Sequence, residues 1–234
     1  MIEVHTWPTP NGHKVHIMLE ETGLEYQIRP VNIRTGEQFG PEFLRISPNN
    51  KIPAIVDRDG PGGQSLSVFE SGAILVYLAG KTGKLLPRDD RGKYVALQWL
   101  MFQMGSIGPM MGQANHFRSN VVPQGVDYSL NRYTKEVRRL HGVMEKRLSH
   151  AAYFAGADYS IADIAIFPWL RSSERHGINW SEFPKVKTWF DKINGRPAVQ
   201  RALKVLAEVN TAPAGQYDAK ASEVLFGATQ YEKR

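Results

Sequence analysis

The stretch from Asn50 to Ile74 constrains this fold more than any other part of the chain. Two short apolar runs, Ala54–Asp57 and Leu66–Phe69, flank a turn rich in Gly and Pro and predict a hairpin. A helix then starts at Glu70–Ser71. Pro53 stands at the mouth of the first strand, a place where no ladder donor is required of it. X-Pro bonds have access to the cis form, and a cis Ile52–Pro53 bond would turn the Ile52 amide and carbonyl outward as an edge for an extended peptide. Glu70-Ser71-Gly72 at a helix start offers free amides and a hydroxyl that suit a carboxylate. Each feature alone is met more simply by a hairpin and a capped helix. Together they describe a ligand edge.

The whole-chain balance narrows the classes. At 234 residues the chain can bury a sizeable core as one large domain or two small ones. No apolar run approaches the roughly 20 residues of a membrane span, and the start, Met1-Ile2-Glu3-Val4, lacks signal-peptide character, so a cytoplasmic protein with no membrane partner is expected. The net charge of +6 favours anionic ligands. The Lys and Arg residues are scattered, and no basic run interleaves with aromatics, which argues against nucleic acid. Cysteine is absent, which removes disulfides, thiolate metal sites and any redox cycle run on the protein's own thiols.

Along the chain, Ile2–Thr6 has strand character and leads into the loop Trp7-Pro8-Thr9-Pro10-Asn11-Gly12. His13 to Thr22 follows as a helix, with Val15, Met18 and Leu19 at helical spacing and Gly23 as its C-cap. Tyr26 to Val31 is a second strand, and Gln38 to Ile46 a loop and short helix. The order is βαβαββα, a thioredoxin-like domain over residues 1–84. Thr9 and Asn11 sit between the first strand and first helix, where they are good helix caps and also donors able to hold a thiolate beside a helix N-terminus.

After a linker at 85–90, an all-α region is expected over residues 91–208. A Gly- and Met-rich run, Gly105 to Gly112, signals close helix packing or a kink. A long amphipathic helix spans Tyr128 to Leu148, with Arg132 one position off its apolar stripe, either a solvated flank or a side chain aimed at the interdomain cleft. Ser160 and Asp163 form a capping box of structural role. Residues 209–234 lack periodicity and read as a tail able to lie over a neighbouring surface through Phe226 and Tyr231. His13 and His16 have no third metal ligand in view, so no metal site is expected and both read as solvent-facing. There is no phosphate-binding glycine motif and no arguable Ser-His-Asp set.

Four segments carry a resemblance over nearly the whole chain: Pro8-Thr9-Pro10-Asn11-Gly12, Ser47 through Ile55, Phe69 through Ile74, and Asn131-Arg132-Tyr133. They resemble the nu-class glutathione transferases, disulfide-bond reductases of bacteria related to the yeast prion regulator of nitrogen use. The resemblance implies the glutathione transferase fold, a homodimer, and glutathione as co-substrate. It implies that Thr9 and Asn11 hold the glutathione sulfur and that Gln38 and Lys51 lie near the glycyl end. Ile52, ahead of Pro53, would pair with the cysteinyl backbone. Glu70 would take the γ-glutamyl ammonium and Ser71 its carboxylate, while Arg132 would reach the sulfur or a second glutathione.

With no protein thiol, disulfide reduction would fall to glutathione itself: one bound thiolate attacks, and a second glutathione resolves the mixed disulfide. Two rivals stay open. A conjugating or peroxide-reducing transferase would use the same thiolate with an acceptor pocket lined by Met110, Met111 and Phe117. A non-catalytic glutathione-binding regulator is the other, since fold alone does not imply turnover.

Overall fold

The computed structural model describes residues 1–123, 127–209 and 214–232. Four strands, β1 (Ile2–Thr6), β2 (Tyr26–Pro30), β3 (Ala54–Asp57) and β4 (Leu66–Phe69), form one mixed sheet of order β2-β1-β3-β4. β1 pairs in parallel with β2 and antiparallel with β3, and β3 pairs antiparallel with β4. The interleaved helices are α1 (Pro10–Thr22), α2 (Pro41–Ile46) and α3 (Ser71–Thr82). The expected βαβαββα order is therefore present.

The central strands explain the layering. Side chains alternate across a strand. Accordingly Val4 and Ile55 join the main core, while Ala54 belongs to a small cluster with Val31 and Phe43 of α2. The main core runs without a break into the helical half, α4 (Asp90–Phe102), α5 (Gly108–His116), α6 (Asp127–Leu148), α7 (Ile161–Leu170), α8 (Pro184–Asn194) and α9 (Pro197–Lys204). α7 is the centre of that half, buried along its whole length.

Helix α1 is packed against α3, α7 and α9 at once. This corrects the reading of His13 and His16 as solvent-facing: they are 7% and 0% exposed. Burial draws their pKa values down to about 4 and about 3, so both are neutral near pH 7. His16 Nε2 lies 3.1 Å from Thr6 Oγ1, a structural bond. Among the described residues no group of three or more His, Cys, Asp or Glu side chains is placed to hold a metal.

The Gly- and Met-rich run straddles a single π-helical turn, Gln103–Ile107, and the first residues of α5. The capping box at Ser160 and Asp163 forms, and the Asp163 carboxylate also accepts from Phe154 N at 3.0 Å and Trp189 Nε1 at 2.8 Å. The C-terminal segment differs from its unpatterned reading: Asp218 caps a helix, α10 (Ala219–Phe226). Residues 210–213 and 233–234 of that segment lie outside the described residues. Phe226 packs on His116 with ring centroids 4.8 Å apart, and Gln230 meets Lys51, so the segment lies back over the mouth between the two halves. Among the described residues no helix is long and apolar enough to cross a membrane.

Candidate active site

Two helix N-termini and one proline edge converge in the cleft between the halves. Gly12 lets α1 begin where it does, because a Cβ there would stand 2.2 Å from the Trp7 carbonyl oxygen. Thr9 caps this helix, its Oγ1 accepting from Gly12 N at 3.2 Å, and Asn11 lies in the first turn. The Ile52–Pro53 bond is cis. Across the sheet, Glu70 is the N-cap of α3 with φ at 68°, a left-handed conformation that a non-glycine residue adopts at an energetic cost and that recurs at ligand sites. Ser71 then heads α3 with backbone amides free of helical partners, a setting that attracts anions.

The structure brings Asn11, Lys51, Ile52, Pro53, Glu70 and Ser71 together around one cavity of about 150 Å³. Three other expected residues lie apart from its walls. Thr9 faces a neighbouring cavity beside His13 and Arg171. Gln38 is buried in its own loop, donating to the Ile33 carbonyl at 3.1 Å. Arg132 stands on the outer face of α6 with its side chain 56% exposed, 3.7 Å from Glu136.

A second cavity of about 360 Å³ shares Asn11, Glu70 and Met104 with the first and opens toward Gly108, Gly112 and Trp169. This corrects the expected acceptor wall. Met111 is buried in the core, Phe117 stacks on Tyr133, and Met110 packs against the core. A third cavity, about 610 Å³, continues from Lys51 under Phe226 and Tyr231.

The polarity of Asn11 is fixed by its neighbour. Trp169 Nε1 donates to Asn11 Oδ1 at 3.1 Å, and an indole nitrogen can only donate. The amide therefore turns both Nδ2 protons away from Trp169. Beside them the N-terminal end of α1 contributes positive potential, so an anion in this corner meets donors from side chain and backbone alike.

Sequence reasoning missed Lys14, Gln103, Met104 and Trp169. Lys14 is 1% exposed, and its Nζ donates to Gln103 Oε1 at 2.6 Å and Ser71 Oγ at 3.2 Å. Burial pulls its pKa from 10.5 down to about 7, with Glu70 opposing. The Gly- and Met-rich run that begins at Gly105, next to Gln103 and Met104, was the one sequence signal near them.

Comparison with known proteins identifies the family. Residues 1–80 match the family model of the glutathione S-transferase N-terminal domain, and residues 128–197 that of the C-terminal domain. The chain is 50% identical over 204 residues to the disulfide-bond oxidoreductase YfcG of Escherichia coli, covering 87% of this chain and 94% of that one. A glutathione transferase family member from Pseudomonas fluorescens, solved with two glutathione bound, superimposes with a TM-score of 0.83 at 49% identity, over 87% of this chain and 92% of that one. A Pseudomonas putida glutathione transferase, with one glutathione disulfide bound per subunit, does so at 0.82 and 47%, over 87% and 91%. The chain belongs to the glutathione transferase family.

Proposed function

We propose that this chain is a glutathione-dependent disulfide-bond reductase that binds glutathione as its thiolate. The observation that carries the reading is Asn11, held by Trp169 with its donors turned from the indole and into a cysteine-free cleft. A free thiol titrates near 8.5 and is about 3% ionised at pH 7. Donors that lower it by about 2 units make it roughly three-quarters ionised, a preference of about 2.7 kcal/mol. One hydrogen bond to a charged acceptor contributes about 1.5–3 kcal/mol, and the α1 terminus adds to it.

In this reading the γ-glutamyl end sits at Glu70 and Ser71, and the cysteinyl backbone lies along Ile52 and Pro53. Lys51 serves the glycyl end, with Gln38 fixing the loop behind it. Thr9 holds the start of α1, and Arg132 serves the outer mouth from the helical half. The bound thiolate attacks one sulfur of the substrate disulfide and forms a mixed disulfide, and the other sulfur leaves as thiolate. A second glutathione thiolate attacks the glutathione sulfur of that intermediate and releases glutathione disulfide and the remaining substrate thiolate. The two electrons come from two glutathiones and none from the protein. The relative named a disulfide-bond oxidoreductase and the neighbour with two glutathione bound support this sequence.

The cavity beside Gly108, Gly112 and Trp169 favours a second reading, conjugation of glutathione to small electrophiles seated there. Turnover of hydroxyethyl disulfide with glutathione and glutathione reductase, beside conjugation of chlorodinitrobenzene, separates the two. Fast disulfide turnover with feeble conjugation is expected. The reverse would install the conjugating transferase, and inactivity in both assays would leave a glutathione-binding regulator.

A further inference from the structure

Lys14 sits at the bottom of the cleft with no carboxylate in contact among the described residues. It is 1% exposed, yet it forms part of the wall of the cavity shared by Asn11 and Glu70. Its Nζ meets Gln103 Oε1 at 2.6 Å, Ser71 Oγ at 3.2 Å and Met104 Sδ at 3.4 Å. An ammonium has three donors and no acceptor, so all three bonds run outward from the nitrogen. This sets the direction of its neighbours. Ser71 accepts from Lys14 and keeps its own proton for another acceptor. In the open cleft that acceptor is Met104 Sδ, 3.7 Å away, a weak one. Gln103 turns its carbonyl toward Lys14 and leaves Nε2 buried without a hydrogen-bond partner.

Among the described residues, the other side chains around Lys14 are neutral apart from Glu70. The π turn contributes Gln103 and Met104, α1 contributes Asn11, and α7 contributes Trp169. From the head of α3, Glu70 is the charged group that acts on Lys14 and favours its ammonium. His13 and His16 on α1 face one another, with His13 beside Arg171 and His16 bonded to Thr6, away from Lys14. A lone ammonium so placed is costly to keep charged. An anion at the head of α3 would complete it: the Ser71 proton gains a strong acceptor, and the buried cation gains a counter-charge.

We propose that Lys14 is the positioning residue of the carboxylate subsite, orienting the Ser71 hydroxyl toward the γ-glutamyl carboxylate and taking up a proton as that carboxylate binds. The proposal rests on the glutathione reading above, and it adds a lysine whose protonation is coupled to occupancy. Burial that holds the free-state value near 7 places this coupling in the physiological range.

S-methylglutathione isolates the effect, because it has no thiol to ionise. Its binding to the full chain is measured by titration calorimetry between pH 6 and 8 in buffers of differing ionisation enthalpy. With a free value near 7 and the ammonium kept through this range in the complex, the Kd weakens about tenfold from pH 6 to pH 8, with about half a proton taken up per ligand at pH 7. Lys14→Met, nearly isosteric and uncharged, binds more weakly at pH 6 and loses this pH dependence. Lys14→Arg, permanently charged, retains affinity with a flat profile. A flat wild-type profile without proton uptake overturns the proposal while leaving glutathione binding intact, as does Lys14→Met with the wild-type slope. Absence of binding at every pH would overturn the glutathione reading itself. If neither variant folds, proton uptake by the wild-type chain decides the question alone.

Discussion

Replacing Asn11 with Ala removes the amide that Trp169 orients at 3.1 Å, and with it a hydrogen bond to a charged sulfur. Such a bond contributes about 1.5–3 kcal/mol, and one pKa unit is about 1.4 kcal/mol, so the bound thiol rises by roughly 1–2 units. If the wild-type complex titrates near 6.5, the variant titrates at about 7.5–8.5. The ionised fraction at pH 7 then falls from about three-quarters to between about a quarter and 3%, a loss of roughly 3- to 25-fold in rate. At pH 9 the same variant recovers most of the wild-type rate, because its thiol is largely ionised there. Asn11→Asp is the sharper companion: it still accepts from Trp169 but presents a negative charge to the sulfur, so it shifts the profile further. The assay is kcat/KM for disulfide reduction from pH 5.5 to 9.5. An Asn11→Ala profile with the wild-type inflection, or a uniform loss at every pH, would refute ionisation as the role of Asn11.

Stability offers independent checks. Burial lowers the Lys14 pKa from 10.5 to about 7, so between those limits the unfolded chain holds a proton that the folded chain has released. Ligand-free stability attributable to Lys14 therefore rises with pH in that window, by up to about 1.4 kcal/mol per unit, and the penalty is complete below pH 7. Urea melts at pH 7 and 9 should show Lys14→Met gaining more over wild type at pH 7, and equal gains would contradict the burial argument. Asp163→Ala strands Trp189 Nε1 and the Phe154 amide in the core of the helical half, and should cost about 3–5 kcal/mol, read as a drop in denaturation midpoint without change in slope.

The Asn50–Ile74 stretch exposed the sheet edge and helix head to sequence reading because turn chemistry, a proline and a helix start are local properties. The same holds for the Ser160–Asp163 box. The inner face of the site was not legible because it depends on three segments meeting. Lys14 lies in a helix whose neighbours, α3, α7 and α9, leave it no solvent face, and nothing in its periodicity announces that. His13 and His16 were misread for the same reason. Met111 looked like a pocket wall in a Met-rich run, yet it is buried in the core, and Gly108 and Gly112 line the cavity instead. α10 went unread because a helix of eight residues leaves little periodic pattern.

The most direct test of the account is the ionisation of glutathione on the protein. Thiolate absorbance, or the cysteinyl carbon resonance of labelled glutathione, is followed against pH in the wild-type complex. The account predicts a bound thiol near 6.5, about two units below the free value. A bound thiol that titrates at or above 8.5 would contradict it, whatever the activity assays show.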